Sequence, residues 1–168
     1  GDGYSEYIIA PTNQVNGPTI ALLGSDRSKV WASVDTQFGN SNPSGTYYSA
    51  DLEVNGWNHL YLCNEGAGRY RFFVNGLRAG SWSRSGSVSM SGGLSFGGRF
   101  INSTNKRTYF TGYLNNIRVT KTWVPYPVEQ ETIPVPTSPL EPTEGVFGYG
   151  TLNSLLDVDL VTNGPPYN

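Results

Sequence analysis

The feature that most constrains this chain is an Asn75-Gly76 pair set between two strand-like runs. Arg69-Tyr70-Arg71-Phe72-Phe73-Val74 precedes it and Leu77-Arg78-Ala79 follows it. A two-residue Asn-Gly connection suits a type I′ turn, which needs positive φ at both central positions. An antiparallel hairpin is therefore expected here, with one strand over 69–74.

Other runs read the same way. Tyr7-Ile8-Ile9-Ala10 stops at Pro11, and Thr19-Ile20-Ala21-Leu22-Leu23 ends at Gly24. Lys29-Val30-Trp31-Ala32-Ser33-Val34 alternates apolar with polar, as a half-buried strand does. Strands are also expected over 57–63, 94–97 and 113–119, the last with a bulge where alternation slips at Asn115-Asn116. Residues 39–45 have the composition of a loop. Short strands at this spacing, without helical periodicity, point to a sandwich or barrel with almost no helix.

The net charge of −2 gives the chain no global attraction to nucleic acid or to an anionic membrane. Arg69, Arg71, Arg78 and Arg84, with Tyr70 and Phe72, resemble a stacking groove for single strands only superficially. They read as arginines on an outward strand face. No apolar stretch approaches the ~18 residues of a membrane span, so no membrane insertion is expected. Cys63 is alone, which rules out an intrachain disulfide and a cysteine-built zinc site. The chain opens at Gly1, its only methionine is Met90, and no signal peptide is evident; it reads as an internal piece of a longer polypeptide.

Composition changes near residue 125. Every Lys and Arg lies at or before Lys121, against seven acids, for a net +4; the remainder carries six acids and no base, for −6. Of the 11 prolines, eight fall between Pro125 and Pro166. The division expected is a sandwich over 1–124 and an extended, Pro-rich, acidic arm over 125–168, with no place inside a sheet. Leu152, Leu155, Leu156, Val158, Leu160 and Val161 are the arm's dense apolar supply. They are too few to form a core, so docking on another copy or another protein is expected; the alternative is a solvated tail.

From Trp57 the order of motifs becomes familiar. Trp57-Asn58-His59-Leu60-Tyr61-Leu62, a turn, Tyr70-Arg71-Phe72-Phe73-Val74-Asn75-Gly76, then Ser91-Gly92-Gly93-Leu94-Ser95-Phe96-Gly97-Gly98, then 109–121 with Tyr126 beyond, resembles the second half of a laminin-G-like domain. That family belongs to the concanavalin A-like lectin/glucanase jelly rolls. The resemblance implies an all-β, antiparallel jelly-roll sandwich. The family's aromatic-rich opening strands have no counterpart, so the start of the domain is expected to be missing or supplied by another chain. Asn115-Asn116-Ile117-Arg118-Val119-Thr120-Lys121 is similar to versions of the domain in bacteriophage virion proteins, and 152–166 resembles connectors in phage fibres. What this implies is a non-enzymatic virion component on the particle surface, a fibre segment or a capsid or tail decoration. Its expected partners are other virion proteins and its own copies, as a trimer by likeness to fibres, and host surface polysaccharide. A lectin-like adhesion module is the alternative, and a glucanase relative a weaker one.

Candidate sites follow from chemistry. Retaining glycosidases need two carboxylates at ~5–5.5 Å. The close pair here is Asp51 and Glu53, and the third acid of the glucanase motif is absent. His59 has no nucleophile elbow to serve, and Cys63 reads as a buried, inert thiol. Asp26 and Asp35 are the loop acids that a calcium-binding relative would use; they read as exposed turn acids, and neither metal nor cofactor is expected. Sugar sites use open aromatic faces beside amides, because a pyranose has apolar C–H patches ringed by hydroxyls. Tyr47, Tyr48, Trp82 and Trp123 lie near turns and are the candidates, with core or interface packing as the alternative.

Overall fold

The computed structural model describes residues 5–12, 17–34, 48–85, 93–100, 107–115, 117 and 129–138. Among these are ten strands: β1 (Glu6–Pro11), β2 (Thr19–Leu23), β3 (Asp26–Ser33), β4 (Tyr48–Asp51), β5 (Leu60–Asn64), β6 (Arg69–Val74), β7 (Leu77–Ser83), β8 (Leu94–Phe96), β9 (Gly98–Phe100) and β10 (Arg107–Tyr109). No helix occurs among the described residues. A five-stranded sheet has the order β4-β3-β2-β1-β8, a three-stranded sheet the order β5-β6-β7, and β9 pairs with β10. Every strand pairing is antiparallel.

The two larger sheets share one core. Ile8, Ile20, Leu22, Val30, Ala32 and Val34 from one side meet Tyr70, Phe72, Val74 and Trp82 from the other. The period-2 pattern of a strand places 70, 72 and 74 on one face and 71 and 73 on the other. Both faces of β6 are buried, because Phe73 packs on the outer side with Cys63 and Ile133. The outer side of the five-stranded sheet carries its own cluster of Tyr7, Ala10, Ala21 and Trp31. The Tyr7 and Trp31 rings meet edge to face at 6.0 Å, and the Trp31 Nε1–H donates to Ser5 Oγ at 3.2 Å. The buried Arg99 lays its guanidinium 5.1 Å from the centre of the Tyr7 ring.

Local chemistry explains the irregular points. The register of β1 on β2 shifts between Tyr7 and Ile9. That bulge puts Ile8 and Ile9 toward the shared core and returns Ala10 to the Tyr7 side. The hairpin expected at Asn75-Gly76 is present, with φ of 50° and 79°. β6 spans the expected 69–74, and β2 the expected run from Thr19 to Leu23.

Several boundaries differ from expectation. The strand expected over 57–63 begins only at Leu60, because the Asn58 side chain folds back on the preceding turn. Pro11 lies within β1, at its last position, where a missing N–H costs no internal ladder bond. Tyr113, Leu114 and Asn115 are not in a strand; the strand nearby is β10, which stops at Tyr109. The loop expected over 39–45 lies outside the described residues.

Of residues 129–138, expected in the extended arm, 129–133 lie on the chain's own three-stranded sheet, and 134–138 are exposed. Arg78 N donates to Glu131 O at 2.9 Å, Ile133 N donates to Gly76 O at 2.8 Å, and Thr132 forms a single bridge with Leu77. Pairing goes no further past Ile133 because β7 begins at Leu77 and its chain turns away at Asn75-Gly76. Ile133 is 6% exposed, which explains the docking: an apolar side chain in a proline-flanked segment found cover on its own sheet.

Candidate functional site

The aromatic residues singled out for stacking on sugar have different fates. Trp82 is 7% exposed, and its indole lies between two rings, Tyr48 at 5.4 Å and Tyr70 at 5.7 Å, both stacked. Neither face is open to a pyranose, so Trp82 is a core residue and its expected role as a platform is corrected. Tyr48 is half-buried and seated on Gly80, where an added Cβ would lie 2.1 Å from its ring. Its ring joins β4 to β7 rather than facing a ligand. Tyr47, Trp123, Asp35 and the apolar group Leu152, Leu155, Leu156, Val158, Leu160 and Val161 lie outside the described residues.

The titratable candidates are occupied structurally. Asp51 stands opposite Lys29 across the β3–β4 ladder and is ion-paired with it on the exposed face. Glu53 lies beyond the strand, with its side chain over Gly56. Asp26 accepts from Ser28 N at 3.0 Å and Ser28 Oγ at 2.5 Å, and these bonds hold its carboxyl below the usual range. His59 is half-buried at the mouth of β5, and burial lowers its pKa. Burial raises the Cys63 thiol although the Arg71 charge opposes it, so the thiol stays protonated and unreactive. Among the described residues, no three His, Cys, Asp or Glu converge as metal ligands would.

Arg71, expected on an outward face, is buried. It pairs with the equally buried Glu65, lies 5.4 Å from the centre of the Phe73 ring, and donates from Nη1 to Gln130 O at 3.0 Å. Coverage by residues 129–133 takes this arginine out of water, and the pair with Glu65 offsets the desolvation.

Open aromatic surface lies elsewhere: Tyr109 and Tyr113 are exposed, and so is Trp57, at the end of the three-stranded sheet that carries the Asn75-Gly76 turn. Trp57 is 62% exposed there, with Val54 exposed on the same loop. The loop is held in place by Asn58. Its Oδ1 accepts from Glu53 N and Asn75 Nδ2, each at 2.9 Å, and its Nδ2 donates to Glu53 O at 2.9 Å and Gly56 O at 3.2 Å. Asn75 extends the clamp by accepting from His59 N at 2.8 Å. Asn55 takes a φ of 60°, as the third residue of a tight turn closed by Gly56 N to Glu53 O at 3.3 Å. The exposed polar groups beside Trp57 on this turn are the Glu53 carboxylate and the Asn55 amide. A second Asn-Gly pair, Asn55-Gly56, was the signal in the sequence that sets Trp57 on a turn instead of in a strand.

Comparison with protein-family models, with curated proteins and with solved structures found no match for this chain.

Proposed function

We propose that this chain is a non-enzymatic structural module of a bacteriophage particle, a laminin-G-like jelly roll serving as a fibre segment or as a capsid or tail decoration. The observation that carries the reading is where the resembling motifs fall. The Tyr70-to-Gly76 motif forms β6 and its turn, the central strand of the smaller sheet, buried on both faces. The Leu94-Ser95-Phe96 motif forms β8, which closes the larger sheet against β1. Two of the resembling motifs thus supply strands to the two larger sheets, and the candidate catalytic acids serve a cross-strand ion pair and a turn. On this reading the module is displayed outside the host, works as an oligomer, a trimer by likeness to fibres, and contacts its copies and other virion proteins through Leu152, Leu155, Leu156, Val158, Leu160 and Val161. Protein analysis of density-purified particles tests it: the chain should be present in many copies per particle. Its presence in the lysate but not in particles would overturn the proposal. Removing residues 145–168 should leave a folded sandwich that no longer assembles.

A second reading, contact with a surface polysaccharide, is favoured by Trp57. An indole kept open to water on a turn clamped through Asn58, beside a carboxylate and an amide, suits the apolar face and hydroxyls of a sugar. Trp57→Ala should abolish retention on immobilised bacterial polysaccharides that hold the parent. Equal retention of both would remove this reading.

A further inference from the structure

Asn-Gly occurs four times in the sequence, and two of the pairs, Asn55-Gly56 and Asn75-Gly76, fall among the described residues. Each of the two follows a valine, Val54 and Val74, so their local sequences match. Both asparagines are left-handed, with φ of 60° and 50°, and both pairs are bonded to Asn58. What differs is how firmly each is held. The Asn75 amide is engaged at both ends: its Oδ1 accepts from His59 N at 2.8 Å, and its Nδ2 donates to Asn58 Oδ1 at 2.9 Å. Its turn is fixed as well, by Asn75 N to His59 O and Ile133 N to Gly76 O, both 2.8 Å. Asn55 is exposed, and its turn is closed by longer bonds, Gly56 N to Glu53 O at 3.3 Å and Asn58 Nδ2 to Gly56 O at 3.2 Å. Gly56 has no side chain of its own to hinder approach to its nitrogen.

We propose that Asn55 is a site of spontaneous deamidation and that Asn75, in the same dipeptide, is protected by the bonds around it. The Gly56 nitrogen attacks Asn55 Cγ. The new C–N bond closes a succinimide ring, the Cγ–Nδ2 bond breaks, and Nδ2 leaves as ammonia with the proton that Gly56 gives up. Water then adds to one of the two imide carbonyls. Opening at Cγ leaves an aspartyl residue at 55. Opening at the backbone carbonyl leaves an isoaspartyl linkage, in which the chain runs through the side chain and is one methylene longer. The reaction is intramolecular, so its rate follows how readily nitrogen and carbon meet. At Asn55 that takes rotation within an exposed turn; at Asn75 it takes local opening of the bonds that hold amide and turn. Either product puts a second carboxylate near Glu53 on the turn that carries Trp57. The isoaspartyl form also lengthens the chain between Glu53 O and Gly56 O, which the single Asn58 amide holds together. The inference stands on the turn and does not depend on what the module binds.

Ageing the full-length chain in mildly alkaline buffer, followed by peptide mapping with mass spectrometry, tests it. The peptide holding Asn55 should convert to aspartyl and isoaspartyl forms at least about tenfold faster than the peptide holding Asn75, since protection follows the free energy of local opening. In concentrated urea the two should convert at similar rates, because their local sequences match. Asn55→Gln should leave its peptide unconverted over the same period, because glutamine has to close a larger and slower ring. In the separated isoaspartyl chain, the Glu53 N–H that Asn58 Oδ1 now accepts should exchange with solvent faster than in the parent. Equal conversion at 55 and 75 in the folded chain would overturn the proposal. So would a preference for 55 that persists in urea, since its cause would then lie in the sequence and not in the fold. Unchanged exchange at Glu53 would refute the effect on the Trp57 turn.

Discussion

Gly76 and Ile133 approach so closely that a Cβ added to the glycine would lie 2.6 Å from the isoleucine carbonyl oxygen. Gly76 also has a φ of 79° and accepts the Ile133 N–H. Two demands, a left-handed turn and a passing backbone, therefore meet at one residue. Gly76→Ala should destabilise the chain by about 1–3 kcal/mol, since it strains the turn and displaces 129–135 together. Urea denaturation measures this. An unchanged midpoint would mean that the segment does not pass the turn.

Ile133 tests the docking directly. Replacing a buried Ile by Ala costs about 2–5 kcal/mol, and the low end is expected here because a flanking segment can settle into the gap. Ile133→Ala should also make Cys63 react faster with a thiol reagent, because the two side chains share one cluster. A loss of stability without faster labelling would place Ile133 elsewhere.

The tryptophans should separate cleanly. Trp82→Ala removes a ring held between Tyr48 and Tyr70 and should cost about 3–5 kcal/mol. Trp82→Phe should cost distinctly less, because the indole N–H has no hydrogen-bond partner among the described residues. Trp57→Ala should change stability by less than about 0.5 kcal/mol, as exposed positions do. Thermal melts of the three variants decide this; comparable losses at 57 and 82 would contradict the burial described.

His59 predicts a pH dependence. Burial holds its folded pKa below the ordinary value of 6.5. Above 6.5 both states are neutral and the full stability is present. As pH falls below 6.5 the unfolded chain takes up a proton that the folded chain resists, so stability declines until the folded pKa is passed. Between about pH 7.5 and about pH 5.5, where most carboxylates stay charged, the parent should lose stability and His59→Gln should lose less. Identical slopes would mean that His59 titrates alike in both states.

What the sequence determined by itself was local. The Asn75-Gly76 turn, the 69–74 strand and the run from Thr19 to Leu23 were legible because turn chemistry and period-2 burial act within a few residues. The all-β class followed from the same signals. What only the tertiary structure decided was which exposed-looking residues are covered. Trp57 and Trp82 sit in similar local contexts, Gly56-Trp57-Asn58 and Ser81-Trp82-Ser83. The β4 strand brings Tyr48 onto Trp82, whereas the Asn58 clamp turns Trp57 out to water. Ile133 was hidden in the same way, in a segment whose prolines and acids read as solvated. Burial there depends on β7 offering an edge more than fifty residues away, and no local pattern encodes so distant a contact.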